Sequence, residues 1–172
     1  MPQRIIIGNI ISFCAASFLL CGAITENARR VYLYGVFECI LLFIAQLFFG
    51  QGAAAVSLLI AAFRNLLIYL ERYTRKKVAV FFLLSLVMGL LLNTGGLLGL
   101  LPVAASLIFT VSTYYAKSYI KIKISLFFNL FLWTLYSALI FDFASAIVNF
   151  FSLIFAALSI FKSLKNNGRH TD

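Results

Sequence analysis

Long apolar runs fill most of this chain, and short polar or cationic turns separate them. A helix needs about 20 apolar residues to cross a bilayer, and runs near this length recur from one end of the sequence to the other. The pattern predicts an all-α integral membrane protein with seven transmembrane helices. We expect the helices at residues 5–25, 31–49, 53–70, 78–92, 97–116, 124–141 and 143–161.

The least obvious division lies inside residues 78–116, which carry no charge. As one helix this run would be about 58 Å long, roughly twice the hydrocarbon thickness of a bilayer. The Asn-Thr-Gly-Gly sequence at 93–96 supplies the turn chemistry, so we place the turn there. The fourth helix is then short, and the long side chains of Arg75, Lys76 and Lys77 would extend its reach to the interface.

Three helices precede this short helix and three follow it, which predicts a 3+1+3 arrangement. A single linker helix returns the chain to its starting face, so that the second triplet runs parallel to the first. The predicted units are two parallel triple-helix bundles, a cationic loop with the linker helix, and a polar cytoplasmic tail. Their bounds are 1–71 and 97–163 for the bundles, 72–96 for the loop and linker, and 164–172 for the tail.

Positive charge is distributed unevenly between the two predicted faces. Twelve of the fourteen lysines and arginines fall in the first, third and fifth loops and the tail, whereas Arg4 stands alone on the opposite side. Since cytoplasmic loops are enriched in Lys and Arg, we expect the N-terminus outside and the C-terminus in the cytoplasm of a bacterial inner membrane. The net charge of +9 therefore indicates orientation rather than nucleic-acid binding.

Composition excludes most other functions. With 63% hydrophobic and 11% charged residues, no soluble domain is predicted besides the spans. Cys14, Cys21 and Cys39 lie in apolar runs and the single histidine lies in the tail, so we expect no metal and no cofactor. No paired carboxylates and no phosphate-binding loop are found, and we therefore expect no catalytic residues and no enzyme.

The sixth and seventh helices carry the best candidates for binding a solute. Asn129, Trp133 and Tyr136 share one helical face, and Asn149 lies on a small-residue face of the seventh helix. An aromatic wall beside amide groups is suited to a small polar solute. The alternative is that these faces serve only helix packing, as small-residue stripes in membranes commonly do.

Three further residues stand out within the spans. Pro102 would remove a backbone hydrogen bond from the fifth helix and so form a hinge, or else a static kink. Glu38 and Arg64 are ionisable residues at similar predicted depths in the antiparallel second and third helices. We expect an intramembrane ion pair between them, which either clamps the helices or takes part in transport through a titrating Glu38 or an anion held by Arg64.

The three-one-three plan, together with Pro102, Trp133 and Asn149, resembles the SWEET, PQ-loop and vitamin-transporter superfamily. The small size and the run from 53 to Arg64-Asn65 look more closely like the YgjV-type bacterial inner-membrane proteins. The resemblance implies that Trp133 and Asn149 face a central pocket. The matching first-half positions, near Leu41 and Ser57, carry neither residue type.

These observations favour a transporter of an unknown small polar solute that works by alternating access between the two bundles. The alternative is a non-transporting structural or regulatory membrane protein that acts through helix packing. The partners we expect are the lipid bilayer, the solute and a possible second copy of the chain, without nucleic acid.

Overall fold

The computed structural model describes residues 2–24, 28–115 and 119–168. Along these residues the chain forms seven α-helices and no strand, as the hydrophobic pattern predicts. The predicted helix ends at Thr25 and Ala116, the loop cation Lys117 and the tail from Arg169 onward lie outside the described residues. The helices are α1 (Pro2–Ile24), α2 (Ala28–Phe48), α3 (Gly52–Tyr69), α4 (Arg75–Leu91), α5 (Leu100–Tyr115), α6 (Tyr119–Leu139) and α7 (Phe143–Gly168).

The outer surface is strongly apolar, as expected for a protein surrounded by lipid. Large side chains such as Phe13, Leu91 and Phe161 are more than two-thirds exposed, which a soluble protein avoids over so wide an area. Within the described residues, three helices are long and apolar enough to cross a membrane: Gln3–Gly22, Arg29–Phe48 and Gly52–Tyr69. Shorter apolar helices cover Leu100–Tyr115, Ile124–Leu139 and Phe143–Leu158.

Six helices form a closed ring. Each of α1, α2, α3, α5, α6 and α7 packs against the next in that order, and α7 returns to pack against α1. Helix α4 packs outside the ring, against α3 and α5. Among the described residues the backbones of α1 and α3, and those of α5 and α7, do not come close to each other, and we call each set of three helices a row.

The turns between helices gather at two opposite ends. At one end, which we call the Gly50 end, Thr94 donates a hydrogen bond to the carbonyl of Gly50, and Asn9 near the start of α1 donates one to Phe141. At the other, the Tyr73 end, Arg29 donates a hydrogen bond to the carbonyl of Tyr69. Helices α1 and α5 both start at the Gly50 end, so the directions of α1–α3 are repeated by α5–α7.

The turn predicted at 93–96 is confirmed. The Asn93 side chain accepts a hydrogen bond from the Gly95 N–H and donates one to the carbonyl of Gly96, which has a positive φ of 58°. The turn continues to Gly99, whose Cα packs so closely against the Asn93 amide that a Cβ would overlap it. Helix α5 therefore begins at Leu100, three residues later than the hydrophobic pattern predicts.

Because α5 starts late, Pro102 lies in its first turn rather than in its middle. It is the third residue of α5 and is buried. In the first turn of a helix the backbone N–H has no partner within the helix, so a proline there removes no hydrogen bond. The expected hinge rested on a lost hydrogen bond in the middle of the helix, whereas Pro102 lies near the start of α5, and a hinge at this residue stays a prediction.

Helix α3 is the most deeply buried element of the described fold. Alanines and Ser57 let α2, α4 and α5 approach it closely, as small residues do in membrane helices. The central apolar cluster consists of Cys39 from α2 with Leu58, Ala61 and Ala62 from α3. Helix α4 packs against α3 and α5. At its contact with α5, the hydroxyl oxygen of Ser85 lies 3.3 Å from that of Ser106.

Candidate functional site

Trp133 points into the ring. Its indole packs against the central apolar cluster of α2 and α3, and its ring meets that of Tyr136 edge-on, with the centroids 5.7 Å apart. Asn129, one turn before Trp133, and Asn149 on α7 are each half-buried. The predicted aromatic face of α6 therefore lies between the two rows of helices, and Tyr136 is its most deeply buried member.

Two surface grooves lie away from these residues. One, of about 390 Å³, lies between α4 and α5 at the Tyr73 end and has Arg75 and Tyr115 on its rim. The other, of about 520 Å³, lies between α1 and α7 near Asn9. Asn129, Trp133, Tyr136 and Asn149 line neither groove, and their role in a pocket remains a prediction.

A buried polar network joins the two rows at the Gly50 end. The Asp142 carboxylate accepts hydrogen bonds from Ser12 of α1 at 3.1 Å and from the Gln46 amide of α2 at 3.4 Å. Gln46 in turn accepts a hydrogen bond from the Tyr136 hydroxyl at 3.2 Å. We call Ser12, Gln46, Tyr136 and Asp142 the Asp142 network, and all four are almost fully buried.

Asp142 also caps the N-terminus of α7. It precedes the first residue of α7, and its second oxygen accepts a hydrogen bond from the N–H of Ser145, in the manner of a helix N-cap. Burial raises the pKa of the Asp142 carboxyl, and its hydrogen bonds from Ser145 and Ser12 offset part of that rise. Sequence reasoning missed this residue, because an acid in a short turn has the pattern of an exposed loop residue.

Asn9 strengthens the same junction between α1 and α7. Its amide donates to the carbonyl of Phe141 at 3.0 Å, and its carbonyl accepts from the N–H of Ala144 at 3.1 Å. One side chain from α1 therefore satisfies a carbonyl of the preceding turn and an N–H in the first turn of α7.

The expected ion pair between Glu38 and Arg64 is not formed. Among the described residues, the pair found within 4.0 Å joins Arg29 and Glu71, at 3.8 Å and at the protein surface. Arg64 instead donates a hydrogen bond to the Thr110 hydroxyl of α5 at 3.0 Å, and its guanidinium lies over the ring of Phe109. Equal depth in two neighbouring helices does not fix the direction in which each side chain points, and Arg64 points towards α5.

The described residues bring no three His, Cys, Asp or Glu side chains together as a metal site. Comparison with known families gives a match over most of the chain. A family model described as Imp-YgjV, bacterial inner membrane protein, matches residues 6–167, which is nearly the whole chain. No curated protein and no solved structure shows significant similarity to the chain.

Proposed function

We propose that this chain, which belongs to the Imp-YgjV family of bacterial inner membrane proteins, is a small-solute carrier. Its two moving parts would be the row α1–α3 and the row α5–α7, with α4 as the linker of a SWEET-like 3+1+3 plan. The repeated helix directions support this division, since parallel repeats are a common construction of transporters. A solute would lie between the rows, against Trp133 and Tyr136, with Asn129 and Asn149 as hydrogen-bond partners.

The observation that carries the proposal is the polar junction between the rows. At the Gly50 end the hydrogen bonds of the Asp142 network join the two rows. Such bonds contribute only about 0.5–1.5 kcal/mol each between neutral groups and about 1.5–3 kcal/mol each to a charged carboxylate, because water replaces them when they open. At the Tyr73 end, Tyr73 and Arg64 also reach across to Thr110 through hydrogen bonds. Alternating access requires two junctions of this kind that open in turn.

The proposed orientation follows from the loop cations, with the Gly50 end outside and the Tyr73 end in the cytoplasm. Of two reporter enzymes fused after Lys165, one active only in the cytoplasm and one active only in the periplasm, the cytoplasmic reporter should then give the signal. A periplasmic signal from that fusion would overturn the orientation and exchange the outer and inner junctions.

Thermal unfolding of the purified protein tests solute binding. Sugars, nucleosides, vitamins, amino acids and organic acids are screened singly, because a ligand at 100 times its dissociation constant stabilises the protein by about 2.7 kcal/mol. A stabilising solute should also enter proteoliposomes that contain the protein, and the Trp133→Phe variant should bind it more weakly. Stabilisation without uptake would contradict transport and favour a regulatory protein that senses the solute.

A further inference from the structure

Arg64 is a buried cation in the interior, and no acid balances it among the described residues. The side chain is 3% exposed and lies within α3, the most buried helix. One guanidinium nitrogen donates to the Thr110 hydroxyl, and the Nε atom is buried with no hydrogen-bond partner. The carboxylate of Glu38 is not within 4.0 Å of the guanidinium, so it does not occupy the missing position.

The groups around Arg64 offset its charge only in part. A neutral hydroxyl and the face of Phe109, 4.9 Å away at its centroid, are weaker partners than an anion. Charged residues inside membranes are costly and usually pair with one another or mark a ligand pathway. Beside Arg64, the side-chain oxygen of Asn65 is also buried without a partner. Two neighbouring side chains of α3 therefore retain unused hydrogen-bonding groups in the interior.

We propose that Arg64 binds the carboxylate group of a small organic anion that is the solute of the carrier. This inference rests on the proposed function. The planar guanidinium fork matches a carboxylate, which can accept two parallel hydrogen bonds from it. A single negative charge balances the single cation, whereas a dianionic phosphate would leave an excess charge in a medium of low dielectric constant.

Cys39 provides a reporter at this position. It is buried on α2, and its sulfur accepts a hydrogen bond from the amide of Asn65, the residue after Arg64, at 3.8 Å. Cys14 and Cys21 are exposed on the outer surface of α1, so Cys14→Ala and Cys21→Ala leave Cys39 as the remaining thiol without altering the interior.

The experiment compares two methanethiosulfonate reagents of similar size on this single-cysteine protein in proteoliposomes. One reagent carries a sulfonate and the other a trimethylammonium group, and each rate is normalised to the rate with a free small thiol. The anionic reagent should react faster by roughly two orders of magnitude, because a unit charge about 10 Å away at an effective dielectric constant of about 20 raises the one rate and lowers the other by about tenfold each. The ratio of the two rates cancels any change in the thiolate fraction of Cys39.

Variants and competing anions show whether Arg64 causes the preference for the anionic reagent. The preference should disappear in Arg64→Gln, persist in Arg64→Lys, and be unchanged in Arg75→Gln, which removes an exposed cation at the start of α4. Sodium acetate should slow labelling of the protein with unaltered Arg64, and sodium chloride at the same concentration should not. The acetate measurement stays decisive if Arg64→Gln does not fold.

Each contrary result has a distinct meaning. Equal normalised rates without protection by acetate would overturn the anion site and leave a solute-accessible interior, as the carrier requires. Equal protection by chloride would overturn the carboxylate assignment. If neither reagent reacts with Cys39 even as the pH is raised to favour the thiolate, solutes do not reach the interior, and the carrier proposal fails together with this inference.

Discussion

The hydroxyl of Tyr136 on α6 donates a hydrogen bond across the ring to the side-chain oxygen of Gln46 on α2, 3.2 Å away. Ninety residues separate the two in the sequence, and both side chains are almost fully buried. The bond connects the first row of helices to the second in the same network that holds the Asp142 carboxylate. It fixes the aromatic face of α6 against the first row.

Removing this hydroxyl should destabilise the protein. In Tyr136→Phe the Gln46 oxygen loses its donor in a buried position, and we expect a loss of about 1–3 kcal/mol in the free energy of unfolding. Tyr115→Phe is the matched control, because Tyr115 is 54% exposed, and its effect should be within about 0.5 kcal/mol of zero. Denaturant unfolding of the detergent-solubilised protein measures both. Equal effects for the two variants would contradict the role of the bond.

Asp142 should make stability depend on pH. Because its pKa is raised in the folded protein, the stability gained from the protonated carboxyl is present below its ordinary pKa of about 3.9 and is lost as pH rises through the folded-state value. Asp142→Asn stays neutral throughout. The unfolding temperature of the wild type relative to this variant should therefore fall as pH increases from about 4. A constant difference across that range would show that Asp142 does not titrate in the folded protein.

Arg64 should be coupled energetically to Thr110 and not to Glu38. The hydrogen bond of 3.0 Å between Arg64 and Thr110 predicts a coupling of about 0.5–3 kcal/mol in the double-mutant cycle of Arg64→Gln with Thr110→Val. The cycle of Arg64→Gln with Glu38→Gln should be additive within about 0.5 kcal/mol. Folded yield and unfolding free energy report both cycles. Strong coupling to Glu38 would restore the ion pair expected from the sequence.

Gly52 should not tolerate a side chain. A Cβ at this position would lie 2.6 Å from the backbone carbonyl oxygen of Leu92. The turn after α2 and the turn after α4 are in close contact at this point. We expect Gly52→Ala to destabilise by about 1–3 kcal/mol, as overpacking does. Gly22→Ala is the control, since its Cβ would meet Tyr34 at an ordinary distance of 3.6 Å. Its stability should stay equal or rise, and a comparable loss there would contradict the close approach at Gly52.

Pro102→Ala should change stability by less than about 1 kcal/mol, because the proline lies in the first turn of α5 and removes no helical hydrogen bond. The Pro102→Ala variant should also take up any solute found in the thermal screen at a rate near that of the wild type. A large loss of uptake with unchanged stability would restore the hinge. The measurement needs only the two rates from matched proteoliposomes.

The number and approximate position of the helices could be predicted from the sequence, because the length of an apolar run determines whether a helix spans lipid. Charged and glycine-containing turns bound those runs, and even the turn at 93–96 followed from Asn93 and its glycines. The start of α5 could not be placed, since the contact of Gly99 with the Asn93 side chain extends the turn beyond the hydrophobic boundary.

The inward direction of Trp133 was also predicted, because helical spacing places polar and aromatic residues on one face. The partners across the ring were not. Gln46, Asp142 and Thr110 lie on elements far apart in the sequence, and only the packing of α1 against α7 and of α3 against α5 brings their side chains into hydrogen-bonding distance. Sequence periodicity gives the face of each helix, but the rotation and order of helices in the ring depend on the combined packing of all their faces. For this reason Arg64 lies with Thr110 rather than Glu38, and Asp142 is buried although it lies in a short turn.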